Sequence, residues 1–322
     1  LMLGFIIVAV CVILTMVSLG ELAAVLPVSG SFCTYSVRFL DPSWGFAMGW
    51  NYWLQWLAAF PLEATAVTIV ISFWDKDEAV PRGVWVAIYL VLMMSIHLVG
   101  VRGYGEFEFL AALIKILGCI GFIIACVVID VGGSPRGEYL GAHSWHHPPP
   151  FLNGFKGFCS VFITAAFAYS GTEIVGIAAA ESSNPRKYIP RATKQVVGRV
   201  LLFYIISILM ITFIVPSDTK SLMGDSNDPS SSPFVIALQQ GQINALPQIF
   251  NAIILISALS VGNASVYGGS RTLLSLAELG MAPKIFTYVD RKGRPLPAMF
   301  VSFLFGLLGF LIYASDPNTI FD

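Results

Sequence analysis

Three ionisable residues lie inside long apolar runs: Glu63, Lys115 and Glu173. A charge at mid-membrane costs about 2.5–3.5 kcal/mol on insertion scales, so each needs a reason to be there. Glu173 closes the stretch Ala-Phe-Ala-Tyr-Ser-Gly-Thr-Glu (166–173), near the middle of its run. Ser170, Gly171 and Thr172 are poor helix formers and can support a break. A broken helix exposes N–H and C=O groups that can bind the charged ends of a small zwitterion. The alternative is a small-residue packing face with Glu173 bonded to a neighbouring helix. Lys115, in Leu-Ile-Lys-Ile-Leu (113–117), either stands beside a pocket, where an ammonium can replace a bound cation and release a proton, or snorkels to the inner headgroups. Glu63, two residues after Pro61, is open to three readings: proton carrier, pocket wall, or partner of another polar group. Ser260 and Asn263 share Ser-Val-Gly-Asn-Ala-Ser (260–265), which allows close helix approach or hydrogen bonding to a ligand. Glu106 and Glu108 are read as favouring the start of the helix that holds Lys115, through its dipole.

The elements that position these residues follow from the distribution of charge. Of 322 residues, 56% are hydrophobic and 11% charged, and mean hydropathy is +0.78. A soluble domain carries about 25% charged residues, so lipid is the solvent that fits. Bilayer hydrocarbon takes about 20 apolar residues as a helix. Runs of that kind predict eight spans, near 1–25, 44–74, 83–101, 108–130, 157–180, 196–216, 242–270 and 296–314. In lipid every backbone polar group must be satisfied internally, and barrel-strand alternation is absent, so the spans are helices of an all-α polytopic membrane protein. They form a single transmembrane domain, 1–322.

Basic residues set the predicted orientation. One set of alternate loops holds Arg38, Arg102, Arg186, Lys187, Arg191, Lys194, Arg199, Arg271, Lys284, Arg291, Lys292 and Arg294, twelve in all. The other holds five: Lys76, Arg82, Arg136, Lys156 and Lys220. The positive-inside rule therefore places loops 27–44, 102–107, 181–195 and 271–295 in the cytoplasm. Within the last of these, 275–288 reads as an interfacial helix.

Other chemistries find little support. The five cysteines have no metal or disulfide spacing. His143, His146 and His147 fall in an outer loop beside the prolines at 148–150, and a solvated loop is preferred to a metal site. No nucleophile elbow, phosphate loop or histidine–carboxylate constellation appears, so neither an enzyme nor a cofactor is expected. No basic stripe interleaved with aromatics points to nucleic acid. The sequence opens on Leu inside an apolar run, without the basic start of a signal peptide, and is read as cut at both ends.

Several stretches together resemble the amino acid–polyamine–organocation superfamily, specifically the fungal amino-acid permeases. They are Gly-Glu-Leu-Ala-Ala-Val-Leu-Pro-Val-Ser-Gly (20–30), Gly-Trp-Asn-Tyr-Trp-Leu-Gln-Trp (49–56), Pro-Leu-Glu-Ala-Thr (61–65), Gly-Glu-Phe-Glu-Phe with Ile-Lys-Ile (105–116), Tyr-Ser-Gly-Thr-Glu (169–173), Glu-Ser-Ser-Asn-Pro-Arg-Lys (181–187) and Ser-Arg-Thr-Leu-Leu-Ser-Leu-Ala (270–277). The resemblance implies an inverted-repeat, leucine-transporter-like fold, of which this chain carries family helices two to nine. It further implies proton-coupled import of an L-amino acid across the plasma membrane by alternating access. Tyr169, Ser170, Gly171, Thr172, Glu173, Glu63, Ser260 and Asn263 then line or support the substrate site, and Lys115 is the coupling group. The implied partners are an L-amino acid, protons and membrane lipid. A non-transporting amino-acid sensor on the same fold is the alternative, and a channel, which needs a continuous polar stripe, is weaker.

Overall fold

The computed structural model describes residues 1–75, 77, 79–146, 154–219, 232–243 and 245–313, and these are helices joined by short connections. The helices are α1 (Met2–Val25), α2 (Phe32–Phe39), α3 (Pro42–Ile71), α4 (Arg82–Val99), α5 (Val101–Asp130), α6 (His143–His146), α7 (Gly154–Ala168) and α8 (Ile174–Ile177). They continue with α9 (Pro185–Ile214), α10 (Pro233–Gln240), α11 (Ala245–Glu278) and α12 (Leu296–Gly306), the last extended by a 3₁₀ segment, Leu307–Tyr313. Six of them, α1, α3, α4, α5, α9 and α11, are long and apolar enough to cross a membrane, while α7 and Leu296–Leu311 are shorter apolar helices.

Several boundaries differ from those expected from the sequence. Residues 102–107, expected as a loop, form the first turns of α5, where Arg102 and Glu106 pair at 2.7 Å one turn apart. The loop 27–44 contains α2, and 181–195 is largely the start of α9. Instead of an interfacial helix over 275–288, α11 continues to Glu278 and only a single 3₁₀ turn, Lys284–Thr287, follows. At 102–107 and 181–195 charged residues suggest a loop, whereas a helix extends past the apolar run. His143 and His146 lie on the one-turn α6, while 147–150, the stretch 225–231 and position 314 lie outside the described residues.

The chain packs as two compact units. The first comprises Leu1–Glu21, Ile114–Glu173 and Pro190–Ile254. Its core gathers Phe122, Cys126 and Ile129 of α5 with Ile214 of α9 and Ile236, Ala237 and Leu238 of α10. Within α9 the stretch Val200–Ile206 widens to a π-helix, and Ser207 Oγ donates to the carbonyl of Leu202, 3.2 Å away.

The second unit comprises Leu22–Leu113, Ile174–Ile189 and Leu255–Asp322. Phe60, Ala64 and Val67 of α3 pack with Val86, Tyr89 and Met93 of α4, Ala258 and Val266 of α11, and Met299 of α12. Pro61 supplies no N–H inside α3, and the surrounding carbonyls acquire side-chain donors: Thr65 Oγ1 bonds Pro61 O and Tyr89 Oη bonds Phe60 O, both at 3.2 Å. The Tyr89 ring lies against Gly262, where a Cβ would overlap the hydroxyl and stand 2.8 Å from Cζ. Glycine is what lets α4 and α11 approach so closely.

The turn before α12 is tied by one carboxylate. Asp290 Oδ1 accepts the N–H groups of Lys292 (2.9 Å) and Arg294 (2.8 Å), and Oδ2 accepts Nε of Arg294 (2.7 Å). Arg294 Nη1 donates to the carbonyl of Leu98 in the last turn of α4, and Arg271 Nη2 to that of Gly293. The bond from the Arg294 side chain, with the backbone N–H groups, holds the Asp290 carboxyl below the usual aspartate range.

Both contacts can be tested by substitution. Gly262→Ala should destabilise the protein by about 1–3 kcal/mol through overpacking, read as a lower melting temperature in detergent, with Tyr89→Phe in the same chain recovering part of the loss. Because the folded-state pKa of Asp290 is depressed, its contribution to stability is present above the ordinary aspartate value of about 3.9 and is lost as pH falls through the folded value. The melting-temperature gap between wild type and Asp290→Asn should therefore be open at neutral pH and close on acidification through that window.

Candidate functional site

In the first unit, α7 stops at Ala168 and helix resumes only at Ile174. Gly171 lies at φ 91°, a conformation that side chains rarely adopt, and this turns the chain out of the helix. Two of the polar groups at the break are bonded within it. Glu173 accepts the N–H of Gly171 through both carboxylate oxygens, at 3.0 and 3.2 Å, and Thr172 Oγ1 donates to the carbonyl of Tyr169 at 3.1 Å. Ser170 is exposed, while Gly171, Thr172 and Glu173 are half-buried. Tyr169 anchors the start of the break. It is 1% exposed, donates its hydroxyl to Phe5 O of α1 at 3.2 Å and packs its ring 4.5 Å from that of Tyr204 on α9. Its hydroxyl is thus engaged with backbone. Lys115, half-buried on α5, belongs to the same unit.

Glu63, Ser260 and Asn263 belong to the second unit. Glu63 is half-buried on α3, between the core residues Phe60 and Ala64. Ser260 and Asn263, 2% and 0% exposed, lie one turn apart on α11 and converge on a residue to which the sequence alone gives another role. Ser260 Oγ donates to Glu108 Oε2 at 2.7 Å, and Asn263 Nδ2 donates to Glu108 Oε1 at 2.9 Å. Glu108 is no dipole partner at a helix start, because α5 begins at Val101 and places it two turns inside. The signal available beforehand is the pair itself, since two buried donors three residues apart need an acceptor. On the same seam His97 Nε2 lies 3.2 Å from Asn263 O, and Tyr104 stacks on Tyr267 with centroids 4.1 Å apart and planes 5° apart. Arg271 covers the Tyr267 ring at 5.1 Å and borders a cleft with His97, Tyr104 and Arg294.

Chemically, the arrangement offers polar backbone at a helix break and isolated charges held by hydrogen bonds. Among the described residues no group of three His, Cys, Asp or Glu side chains could hold a metal ion. A model of the amino acid permease family matches residues 1–322. The chain belongs to that family. It is 47% identical over 324 residues to general amino-acid permease GAP2 of Candida albicans, covering 100% of this chain and 55% of that protein. It is 48% identical to amino-acid permease GAP5 of the same organism, over 100% of this chain and 52% of the relative. With general amino-acid permease GAP1 of Saccharomyces cerevisiae it shares 47% identity, over 95% of this chain and 52% of the relative. The chain thus spans about half the length of the curated relatives it matches. With its apolar helices, it is part of an integral membrane protein.

The break makes its own prediction. Glu173→Ala removes the acceptor of the Gly171 N–H, a loss worth about 1–3 kcal/mol, so hydrogen exchange over 169–173 should speed up about tenfold or more while α7 is unchanged.

Proposed function

We propose that this permease imports L-amino acids across the plasma membrane in symport with protons, by alternating access. The observation that carries the reading is the interrupted helix at 169–173 in an apolar, family-matched chain. Helix interruptions at membrane depth belong where backbone groups meet a ligand or line a cavity. The names of the relatives, general amino-acid permeases, support the substrate class.

In this reading the backbone around 170–172 binds the α-amino group, and Glu173 holds the break open to it. Glu63 lines the pocket, and Ser260 and Asn263 support its wall. Lys115 is the coupling group: an ammonium that occupies a cation's place when charged and vacates it on losing its proton. The six long helices, with α7 and the segment from Leu296, make eight spans of one membrane domain. The excess of Lys and Arg puts the turns near Arg38, Arg102, Arg186 and Arg291 on the cytoplasmic side.

A competition panel of radiolabelled amino acids on the full-length protein tests the substrate class, and Lys115→Ala tests the coupling. The variant should lose the pH dependence of uptake while still binding substrate. Undiminished proton coupling in Lys115→Ala would remove the lysine from the mechanism.

A further inference from the structure

The face that α5 shows to α11 is a stripe. Tyr104 and Glu108 lie one turn apart on α5, and Ser260, Asn263, Tyr267 and Arg271 recur every three or four residues on α11, the spacing of one helix face. All of these residues lie within the second unit. The aromatic part of the stripe is a flat stack of Tyr104 on Tyr267. The polar part is the carboxylate of Glu108 with its two donors.

Asn263 Oδ1 is buried without a hydrogen-bond partner, whereas its NH₂ group donates to Glu108. A carboxylate can only accept, which fixes Nδ2 toward Glu108. Glu108 therefore orients the Asn263 amide and also accepts from the Ser260 hydroxyl. The Asn263 backbone is in turn held by His97 from α4. An uncharged pair would join two helices at lower insertion cost, since a carboxylate two turns inside α5 carries a desolvation penalty that a glutamine does not. What the carboxyl group adds is a second acceptor oxygen, so that one side chain takes a bond from both Ser260 and Asn263.

We propose that Glu108 is a positioning residue for the substrate wall on α11, with Ser260 and Asn263 acting as its donors and not as direct ligands. The uptake part of this proposal rests on the transport reading above; the clamp itself does not.

The test exchanges the polarity of the pair without changing its shape. In the full-length protein, Asn263→Asp faces one carboxylate with another across the 2.9 Å contact. Adding Glu108→Gln restores a donor–acceptor pair, because the introduced amide can donate to the introduced carboxylate and still accept from Ser260. The measurements are the melting temperature in detergent, and KM and maximal rate of amino-acid uptake at equal surface expression. Asn263→Asp alone should lower the melting temperature and raise KM about tenfold or more, and the double variant should recover most of both, a non-additivity expected only of residues in contact. If the double variant is as impaired as the two single effects combined, the clamp is refuted. If melting temperature shows the rescue while KM never moves, Glu108 is a structural tie and the positioning role fails. If the unaltered protein takes up no amino acid, the transport reading fails, and the melting-temperature cycle still decides the clamp.

Discussion

No backbone N–H or C=O can be left to lipid, and at several irregularities among the described residues a side chain bonds the backbone. Where α3 begins, Asp41 accepts the N–H of Ser43 at 2.8 Å, and after it ends Asp75 accepts those of Ala79 and Val80. Where Pro61 interrupts the ladder, Thr65 and Tyr89 donate to neighbouring carbonyls. Where α7 stops, Glu173 and Thr172 supply an acceptor and a donor within the break itself. The helical rods are the default that the constraint imposes. The few places that leave the default carry polar side chains, and those are the places where a ligand could be read.

This dependence explains what is visible in the sequence. Charge-free runs locate the rods, because a membrane helix must be apolar for its own length whatever it packs against. Some ends are set too short and others too long: 44–74 and 157–180 overrun α3 and α7, while charged turns hide other helix ends. Arg102 and Glu106 make the start of α5 look like loop, and Arg271 does the same for the end of α11. A charged turn is unfavourable only inside hydrocarbon. Beyond it, an exposed pair such as Arg102–Glu106 costs the helix nothing, so hydropathy marks where lipid contact ends and not where the helix does.

The site divides along a similar line. The break at 169–173 is legible because its cause is local: Ser, Gly and Thr in succession, followed by a carboxylate close enough to reach back to Gly171. Tyr169 joins the same motif by adjacency, yet its hydroxyl is spent on Phe5 O, a partner 164 residues away. The convergence on Glu108 spans 152 and 155 residues. No spacing rule reaches that far, so in the sequence Ser260 and Asn263 are donors without an acceptor and Glu108 is an acceptor without donors.

Glu108 and Glu173 show two ways of keeping a carboxylate within apolar helices. Glu173 accepts a backbone N–H of its own segment, so its removal would loosen that turn. Glu108 is bound by side chains of another helix, so its removal frees two buried donors and with them the register of α5 on α11. The first arrangement can yield when a ligand's ammonium group competes with the Gly171 N–H for the Glu173 carboxylate, since the exchange is one hydrogen bond for another. The second has no such substitute, because its donors are buried away from any approaching ligand. A helix break can trade partners and a helix seam cannot, which is the physical distinction between a surface that binds and a frame that holds it.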